Sequence, residues 1–472
     1  MAERVLFLTG HLARARLEKV LAETGDLGFA WSVIDVGVKV AALMTEAIIS
    51  RRLSRPVAAD RVIVPGRCRA DLTRLAAEFG VPFERGPDEL KDLPAFFGKR
   101  GRGVDLSRHD MRIFAEIVDA SALSIDAILA RAASLRAAGA DIIDLGCLPD
   151  TPFPHLEDAV RALRASGLNV SVDSADLAEL RRGAAAGAQF LLSLTEATID
   201  LAAETGAIPI LIPATHSDLP SLMRAAEIAD RRGIAAILDP VLDPIHFGFM
   251  NSLSRYAELR RRLPAAEILM GTGNLTELTD ADSVGMTAAL IGICSELFIR
   301  NLLVVQVSPH TRRTVQEHDA ARRIMFAARA DASLPKDYGR ALLSLHDRKP
   351  FPSTPGEIGE LAAQVKDTNF RIEVAEDGIH VYNRDGHRVA QDAMSLFAGL
   401  GVGLGVDSDG AHAFYLGTEL MKAEIAWRLG KRYAQDSPLD WGCAVDRPTA
   451  DLTRLTEAGH TLRAKKTRAK KR

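Results

Sequence analysis

The stretches GADIIDLG (residues 139–146) and NVSVD (residues 169–173) decide the fold, because each is a short apolar run that ends at a glycine or a carboxylate. Similar apolar runs recur through the central part of the chain, and a helical stretch follows each of them. They lie at residues 112–119, 141–146, 169–173, 189–194, 208–212, 235–239, 267–271 and 302–307. Eight strands that alternate with eight helices predict a closed (β/α)8 barrel in an α/β protein, with a doubly wound open sheet as the alternative.

The regions on either side of the barrel predict two smaller domains. Residues 1–103 predict a small parallel α/β domain, because the runs VLFLT, FAWSVIDV and RVIV, read as buried strands, alternate with helical stretches. Residues 104–332 are assigned to the barrel, and the glycine-rich basic run 98–103 is interpreted as a linker. Residues 355–448 predict a small α+β domain with a β-hairpin. Residues 449–472 are a polybasic tail, predicted to be disordered.

The composition of this chain of 472 residues, with 47% hydrophobic and 26% charged residues, is that of a soluble globular protein. The last ten residues hold seven of the 59 basic side chains, so the remaining 52 face 62 acidic ones and leave a net charge of −10. An acidic body with only 5% aromatic residues argues against specific binding of nucleic acid. The four cysteines lie far apart, which predicts reduced thiols and neither a zinc site nor a disulfide framework.

No targeting or membrane segment is expected from the sequence. The N-terminus MAERVLFLTGHLARA has one short apolar run followed by arginines, which predicts a first strand and not a signal peptide. The most apolar long stretch, residues 287–307, contains Glu296 and Arg300, so it is not expected to cross a membrane. These features favour a cytoplasmic protein without a membrane partner.

Carboxylates at the ends of barrel strands are the first candidate site residues, because active sites of (β/α)8 barrels lie at the carboxyl ends of the strands. Asp173 ends the third strand, Asp239 ends the sixth, and Asn274 follows the seventh. Glu116 and Asp119 lie at the end of the first strand. Carboxylates and an amide at one mouth suit a flat ring with several N–H donors, although each aspartate could instead cap the next helix.

Two other kinds of site receive less support. No histidine follows Asp173 or Asp239 at ligand spacing, so a metal site is not predicted. The glycines do not form a G-x-G-x-x-G pattern after a strand, so no nucleotide cofactor is predicted.

A basic segment follows the eighth strand. His310, Arg312 and Arg313 lead into a helix N-terminus, which predicts an anion site for phosphate or diphosphate. The alternative interpretation is a solvated basic helix start. A diphosphate substrate at this position would be compatible with accompanying Mg2+.

The ordered set of strand-end motifs resembles the pterin-binding barrel of the dihydropteroate synthase family. The set consists of residues 139–146 (GADIIDLG), Val172-Asp173-Ser174, Gly187-Ala188 and Leu238-Asp239-Pro240, and its order and spacing fit across the barrel. The resemblance implies that Asp173 and Asp239 hold a pterin ring.

Four positions depart from the pattern of that family. The loop after the second strand is residues 147–152 (CLPDTP) in place of a Gly-Gly-Glu-Ser-Thr-Arg-Pro loop, which makes Asp150 and Thr151 candidates for the second-substrate loop. Ser193 stands near the position of a strand-four Asn–Asp pair and is assigned to the pterin site. The seventh strand ends in Thr-Gly-Asn (residues 272–274) without the family's lysine, and the eighth in Gln-Val-Ser (residues 306–308) without its arginine and histidine.

The flanking regions are similar to those of dihydropteroate synthase-like proteins associated with tetrahydromethanopterin biosynthesis. The similarity lies in Val64-Pro65-Gly66, residues 415–420 (YLGTEL) and residues 431–436 (KRYAQD). It implies a transferase that joins 6-hydroxymethyl-dihydropterin diphosphate to a ribofuranosylaminobenzene phosphate, with loss of diphosphate. Barrels of this kind often dimerise, so the resemblance is compatible with a homodimer.

Two alternative functions remain open at this point. The asparagine after the seventh strand is shared with pterin-dependent methyltransferase barrels, although no corrinoid-binding motif is recognisable. The altered loops are also compatible with a non-catalytic scaffold that binds pterin without turnover. The sequence does not identify the arylamine or the roles of the outer domains.

Overall fold

The computed structural model of the protein describes residues 3–99, 104–400 and 410–446. The chain divides into two compact units, Met1–Gly339 and Arg340–Arg472. The expected boundary at residues 103–104 adjoins the undescribed residues 100–103, and the basic run interpreted as a linker falls largely on them. Most of the glycine-rich run 399–405 and all of the basic tail, residues 449–472, also lie outside the described residues. The division into domains therefore stays a prediction.

A four-stranded parallel sheet forms the N-terminal part of the first unit. Its strands are β1 (Arg4–Thr9), β2 (Ala30–Asp35), β3 (Arg61–Val64) and β4 (Phe83–Arg85), in the order β2-β1-β3-β4. The helices between and after them are α1 (His11–Glu23), α2 (Glu46–Arg52), α3 (Leu72–Phe79) and α4 (Leu93–Phe96). The expectation that β2 is buried is wrong: most of its side chains are exposed because it is an edge strand. The short strand β4 was not expected.

A closed eight-stranded parallel barrel follows, as expected from the spacing of the apolar runs. Its strands are β5 (Arg112–Ile117), β6 (Ile142–Gly146), β7 (Asn169–Asp173), β8 (Phe190–Leu194), β9 (Ile208–Leu211), β10 (Ile237–Leu238), β11 (Glu267–Gly271) and β12 (Asn301–Val304). Its helices are α5 (Ile125–Ala138), α6 (Leu156–Ala165), α7 (Leu177–Ala185), α8 (Asp200–Thr205), α9 (Leu219–Arg231), α10 (Phe249–Arg262), α11 (Gly273–Thr276), α12 (Ser283–Glu296) and α13 (Thr314–Ala330). The fold class is therefore confirmed, although β10 and β12 are shorter than expected.

The interior of the barrel is closed by an apolar layer. Side chains from six of the strands form it: Phe114, Ile142, Phe190, Leu192, Ile210, Ile237 and Leu269. Because successive side chains of a strand point to opposite faces, the residue two positions further along each strand also points into the barrel. This layer is the floor on which the candidate site lies.

The second unit combines helices with a three-stranded antiparallel sheet. Its elements are α14 (Pro355–Gln364), β13 (Arg371–Ala375), β14 (Gly378–Asn383), β15 (Gly386–Ala390), α15 (Ala393–Gly399) and α16 (Gly410–Leu429). The expected hairpin is present as β13 and β14, whereas β15 was not expected because its side chains are mostly exposed. Apolar side chains of β13, β14 and α16 form one core.

Short 3-10 helices occur at Ala41–Leu43, Leu90–Asp92, Ala120–Ala122, Pro309–Thr311 and Gly442–Ala444. Within the residues that the structure describes, no helix is both long enough and apolar enough to span a membrane.

Candidate active site

Four carboxyl groups form a second layer directly above the apolar floor of the barrel. Glu116 lies two residues after Phe114 on β5, and Asp144 lies two residues after Ile142 on β6. The strand register pairs these two acids side by side. Asp173 ends β7 and Asp239 directly follows β10, so both also lie at the carboxyl ends of their strands.

The acids of this layer receive few hydrogen bonds from the protein. The Ser171 hydroxyl donates to Asp144 Oδ1 at 2.5 Å, and the Ser193 hydroxyl donates to Asp173 Oδ1 at 2.6 Å. Asp144 is fully buried, and its Oδ2 has no hydrogen-bonding partner among the described residues. A buried carboxyl oxygen without a donor is costly in the free protein, so it marks a place where a ligand can supply one.

Asp239 is the best-supported carboxyl group of the layer. Its Oδ1 accepts a hydrogen bond of 2.7 Å from the Tyr256 hydroxyl and one of 2.8 Å from the Val241 backbone N–H. Both donors hold the same oxygen, which leaves Oδ2 available to a ligand. Val241 has a positive φ of 64°, which is strained for a β-branched residue.

Burial and mutual repulsion raise the pKa values of these acids. Burial, and then the charge of Asp173, raises the pKa of Glu116 to about 7. Burial raises the pKa of Asp239 to about 6, against the lowering effect of the hydrogen bond from Tyr256. The pKa values of Asp144 and Asp173 are also raised, in both cases mainly by burial. Strongly shifted carboxyl groups that converge in one barrel mouth are typical of functional sites.

A glycine makes room for one of these acids. A Cβ atom on Gly146, the last residue of β6, would lie 2.6 Å from Glu116 Oε1. The glycine that ends the sequence motif GADIIDLG therefore allows Glu116 to lie over the strand end.

Two residues of α10 that the sequence did not single out hold the loop after β10. The Arg255 guanidinium donates to Pro240 O at 3.1 Å, to Val241 O at 2.7 Å and to Asp243 Oδ2 at 2.8 Å. Tyr256, the next residue, holds Asp239 itself. No sequence pattern indicates these contacts, because in each of them a side chain of α10 reaches back to the loop that precedes the helix.

Asn274 lies at the same mouth, in α11, but it is exposed and its amide is already engaged. Its Nδ2 donates to Leu242 O at 2.7 Å, which ties the end of β11 to the loop after β10. One amide hydrogen of Asn274 is therefore used for a structural contact.

The predicted anion site after β12 is partly occupied by a carboxylate of the protein. Glu277 accepts hydrogen bonds from the backbone N–H groups of Val307 and Ser308 at 2.8 and 3.0 Å, and from the Thr311 hydroxyl at 2.6 Å. Burial alone would raise the pKa of Glu277, but these hydrogen bonds lower it below its usual value. The donors of this loop are therefore satisfied internally.

The three basic side chains predicted at this loop differ in their surroundings. His310 Nε2 lies 3.1 Å from Thr276 O, Arg312 is exposed, and Arg313 is half-buried at the start of α13. Of these three side chains, only that of Arg312 is exposed.

Three predicted residues lie apart from the acidic layer. Asp119 is exposed and forms an ion pair of 2.8 Å with Arg131 of α5. Asp150 and Thr151 are exposed in the loop after β6 and line a cavity of about 590 Å3 whose wall includes Arg182. Within the described part of the chain, no group of three or more His, Cys, Asp or Glu side chains has the arrangement of a metal site.

Comparisons with known proteins give one similarity in the N-terminal region and one along most of the chain. Residues 3–88 match the model of a family of unknown function, DUF6513. The chain is 25% identical to an uncharacterised protein of Methanocaldococcus jannaschii over 531 aligned positions, which cover 92% of this chain and 99% of that protein.

Solved structures of dihydropteroate synthases are similar to part of the chain. That of Yersinia pestis with a pterin–sulfa conjugate is 21% identical, with a TM-score of 0.38, and covers 48% of this chain and 96% of its own. That of Thermus thermophilus is 25% identical, with a TM-score of 0.35 and the same coverage. The topology by itself defines the class of protein, a (β/α)8 barrel with an acidic site at the carboxyl ends of its strands.

Proposed function

We propose that the protein is a pterin-binding transferase that joins a 6-hydroxymethyl-dihydropterin diphosphate to an arylamine. The layer of acids formed by Glu116, Asp144, Asp173 and Asp239 is the observation that carries this proposal. A reduced pterin presents several N–H donors around a flat ring, and carboxylates accept such donors in charge-assisted hydrogen bonds. Such a ring fits a layer of buried acids that lacks donors of its own.

The same donors favour the ionised form of the acids. In the free protein, burial holds the pKa values of Glu116 and Asp239 at about 7 and about 6. Hydrogen bonds from a pterin would lower these values, so binding near neutral pH would release protons. A ligand without donors would gain nothing from this layer.

The chemical step requires the bond between the pterin methylene carbon and the diphosphate oxygen to break. The electron pair leaves with the diphosphate, the lone pair of the arylamine nitrogen forms the new C–N bond, and that nitrogen loses a proton. Glu116 is suited to accept this proton, because hydrogen bonds from the bound pterin would keep its carboxyl group ionised near neutral pH. Arg312 and Arg313, with His310, are the residues proposed to neutralise the leaving diphosphate, and Mg2+ would enter as part of that substrate.

We also propose that the arylamine is larger than p-aminobenzoate and carries a phosphate, as a ribofuranosylaminobenzene phosphate does. The loop after β6 lacks the Ser-Thr-Arg-Pro sequence of folate enzymes and instead borders a cavity of about 590 Å3. Asp150 and Thr151 line this cavity and are proposed to contact hydroxyl groups of a ribosyl moiety. Arg182 also lines it, in a two-fold hydrogen-bonded ion pair with Glu157. The assignment to tetrahydromethanopterin biosynthesis follows from this choice of arylamine.

One observation favours the non-catalytic alternative, a scaffold that binds pterin without turnover. Glu277 satisfies the loop donors after β12 that would otherwise face a diphosphate. In this alternative the acidic layer binds the ring, but the leaving group has no stabilising site beyond exposed arginine.

A turnover assay distinguishes these functions. Purified protein would receive the dihydropterin diphosphate and Mg2+ with either p-aminobenzoate or the ribofuranosylaminobenzene phosphate, and diphosphate release would be followed. We expect release with the phosphorylated amine and its loss in Asp239→Asn, whereas the exposed control Asp230→Asn should retain activity. Release with p-aminobenzoate alone would contradict the assigned arylamine. Pterin binding without release in either case would establish the scaffold.

A further inference from the structure

A cavity lies at the carboxyl ends of β1, β3 and β4, in the sheet that precedes the barrel. The strand order β2-β1-β3-β4 places β2 on one side of β1, and β3 and β4 on the other. Between β1 and β3 the loops therefore diverge, and in open parallel sheets this is where ligands bind. The cavity has a volume of about 290 Å3, which is close to the lower limit for small-molecule sites.

The walls of this cavity are held by contacts that leave little freedom. A Cβ atom on Gly10 would lie 2.7 Å from Val38 O, and one on Gly66 would lie 2.6 Å from Gly86 O. The Arg85 side chain also donates to the carbonyl oxygens of Cys68 and Ala70, both at 2.8 Å. The loops after β1, β3 and β4 are thus fixed against their neighbours, as a preformed site requires.

The floor and rim of the cavity differ in chemistry. Leu17 and Leu93 are buried in the floor, and Leu12 and Val40 extend the apolar surface toward the opening. Thr9 is 2% exposed, and the contact of its hydroxyl with Gly10 O is long, at 3.4 Å. The floor therefore suits an apolar body with at most one hydrogen-bonding group.

The rim carries an excess of available positive charge. Arg67 is paired with Glu89 at 2.9 Å and lies 3.8 Å from Asp88. Counted over the whole lining, four basic side chains face three acidic ones: Arg16, Lys39, Arg67 and Lys336 against Asp88, Glu89 and Asp337. Lys39 and Lys336 line the cavity and are exposed, and among the described residues their ammonium groups have no hydrogen-bonding or ionic partner.

The N-terminus of α1 does not add an anion site of its own. Its first N–H groups, those of His11 and Leu12, donate to Val38 O and Lys39 O. The lysine side chains are therefore the groups that can meet an anion.

We propose that this cavity binds a small organic anion with an apolar, ring-sized body and one carboxylate or phosphate group. The apolar body lies on the leucine floor, and the anionic group faces Lys39 and Lys336 at the opening. This site is separate from the acidic layer of the barrel, whose charge has the opposite sign, and it does not depend on the function proposed for that layer.

The test uses phenyl phosphate as the probe and benzyl alcohol as its neutral counterpart. Their dissociation constants would be measured on the full chain by ligand-observed NMR titration. We compare wild type with Lys39→Glu, and with Lys91→Glu as a control that makes the same charge change on an exposed lysine outside the cavity lining. Ala42→Trp, at an exposed position of the lining, narrows the opening without requiring a change in the core.

Wild type should bind phenyl phosphate more tightly than benzyl alcohol. Lys39→Glu should weaken phenyl phosphate binding about tenfold, as expected for charge reversal near a partly screened anion. Ala42→Trp should weaken both probes, and Lys91→Glu should change neither. Absence of saturable binding to wild type, equal affinity for the two probes, or equal effects of the two lysine variants would overturn the proposal.

Discussion

Replacement of Asp239 by asparagine should stabilise the free protein while it removes pterin binding. The side chain is 8% exposed, and burial raises its pKa from 3.8 to about 6. A raised pKa means that the folded protein holds the proton more tightly than the unfolded chain does. The stability that this carboxyl group contributes is therefore fully present below the unfolded pKa and is lost as the pH rises through the folded pKa.

The size of the effect follows from the shift. About two pKa units correspond to about 3 kcal/mol at neutral pH, at about 1.4 kcal/mol per unit. Asparagine keeps an oxygen that can accept from Tyr256 and from the Val241 N–H, and it has no charge to bury. The free energy of unfolding of Asp239→Asn should exceed that of wild type by about 1.6 kcal/mol near pH 5 and by about 3 kcal/mol near pH 7, and the difference should stay constant above that.

Urea unfolding followed by circular dichroism between about pH 5 and pH 8 measures this gain. The matched control is Asp243→Asn in the same loop, which breaks a buried ion pair of 2.8 Å with Arg255 and should destabilise by about 3 kcal/mol or more. Calorimetry with 6-hydroxymethyl-dihydropterin would show whether binding is lost in Asp239→Asn. A loss of stability in Asp239→Asn near pH 7, or a gain that does not depend on pH, would refute the reasoning from burial.

Three further substitutions test the contacts around the acids. Tyr256→Phe removes the hydroxyl that donates to Asp239, so the free energy of unfolding at neutral pH should fall by about 1.5–3 kcal/mol. A urea midpoint equal to that of wild type would contradict this. Ser193→Ala removes the hydroxyl that donates to Asp173 at 2.6 Å and so raises the pKa of that acid. The dissociation constant for pterin near pH 7, measured by calorimetry, should therefore rise about tenfold. Val241→Asn keeps the backbone N–H that donates to Asp239, and asparagine tolerates the φ of 64° better than valine does. The free energy of unfolding, measured by thermal unfolding, should therefore rise by about 1 kcal/mol. An unchanged melting temperature would argue against strain at this residue.

The sequence was sufficient for the barrel because a short apolar run recurs at each of its strands. On β5 and β6, Phe114 and Ile142 point into the barrel, and an acid occupies the mouth two positions later. An apolar run followed by a helical stretch is a local pattern, so it can be recognised without knowledge of the fold. The edge strand β2 and the short strand β4 lack a buried face of their own, and the same pattern misjudged or missed them.

The supporting residues of the site were not predictable in this way. Tyr256 and Arg255 contact loop residues that lie 12 to 17 positions before them, and Glu277 binds a loop thirty residues after it. These contacts depend on how helices and loops pack in three dimensions, which no local sequence pattern shows. Glu277 also changes the expectation for His310 and the arginines, since a carboxylate of the chain already holds the backbone donors beside them.

Stability of the free protein does not explain why the barrel has four acids in this layer. Glu116 and Asp144 lie side by side on neighbouring strands, and one oxygen of Asp144 has no donor among the described residues. Apolar side chains at these positions would extend the floor of the barrel and avoid the cost of burying charge. The free protein instead keeps four acids with raised pKa values, of which the three aspartates are held on one oxygen each, by Ser171, Ser193 and Tyr256. A ligand rich in N–H donors would reverse this balance, because each donor it brings satisfies an acceptor that the protein leaves without one.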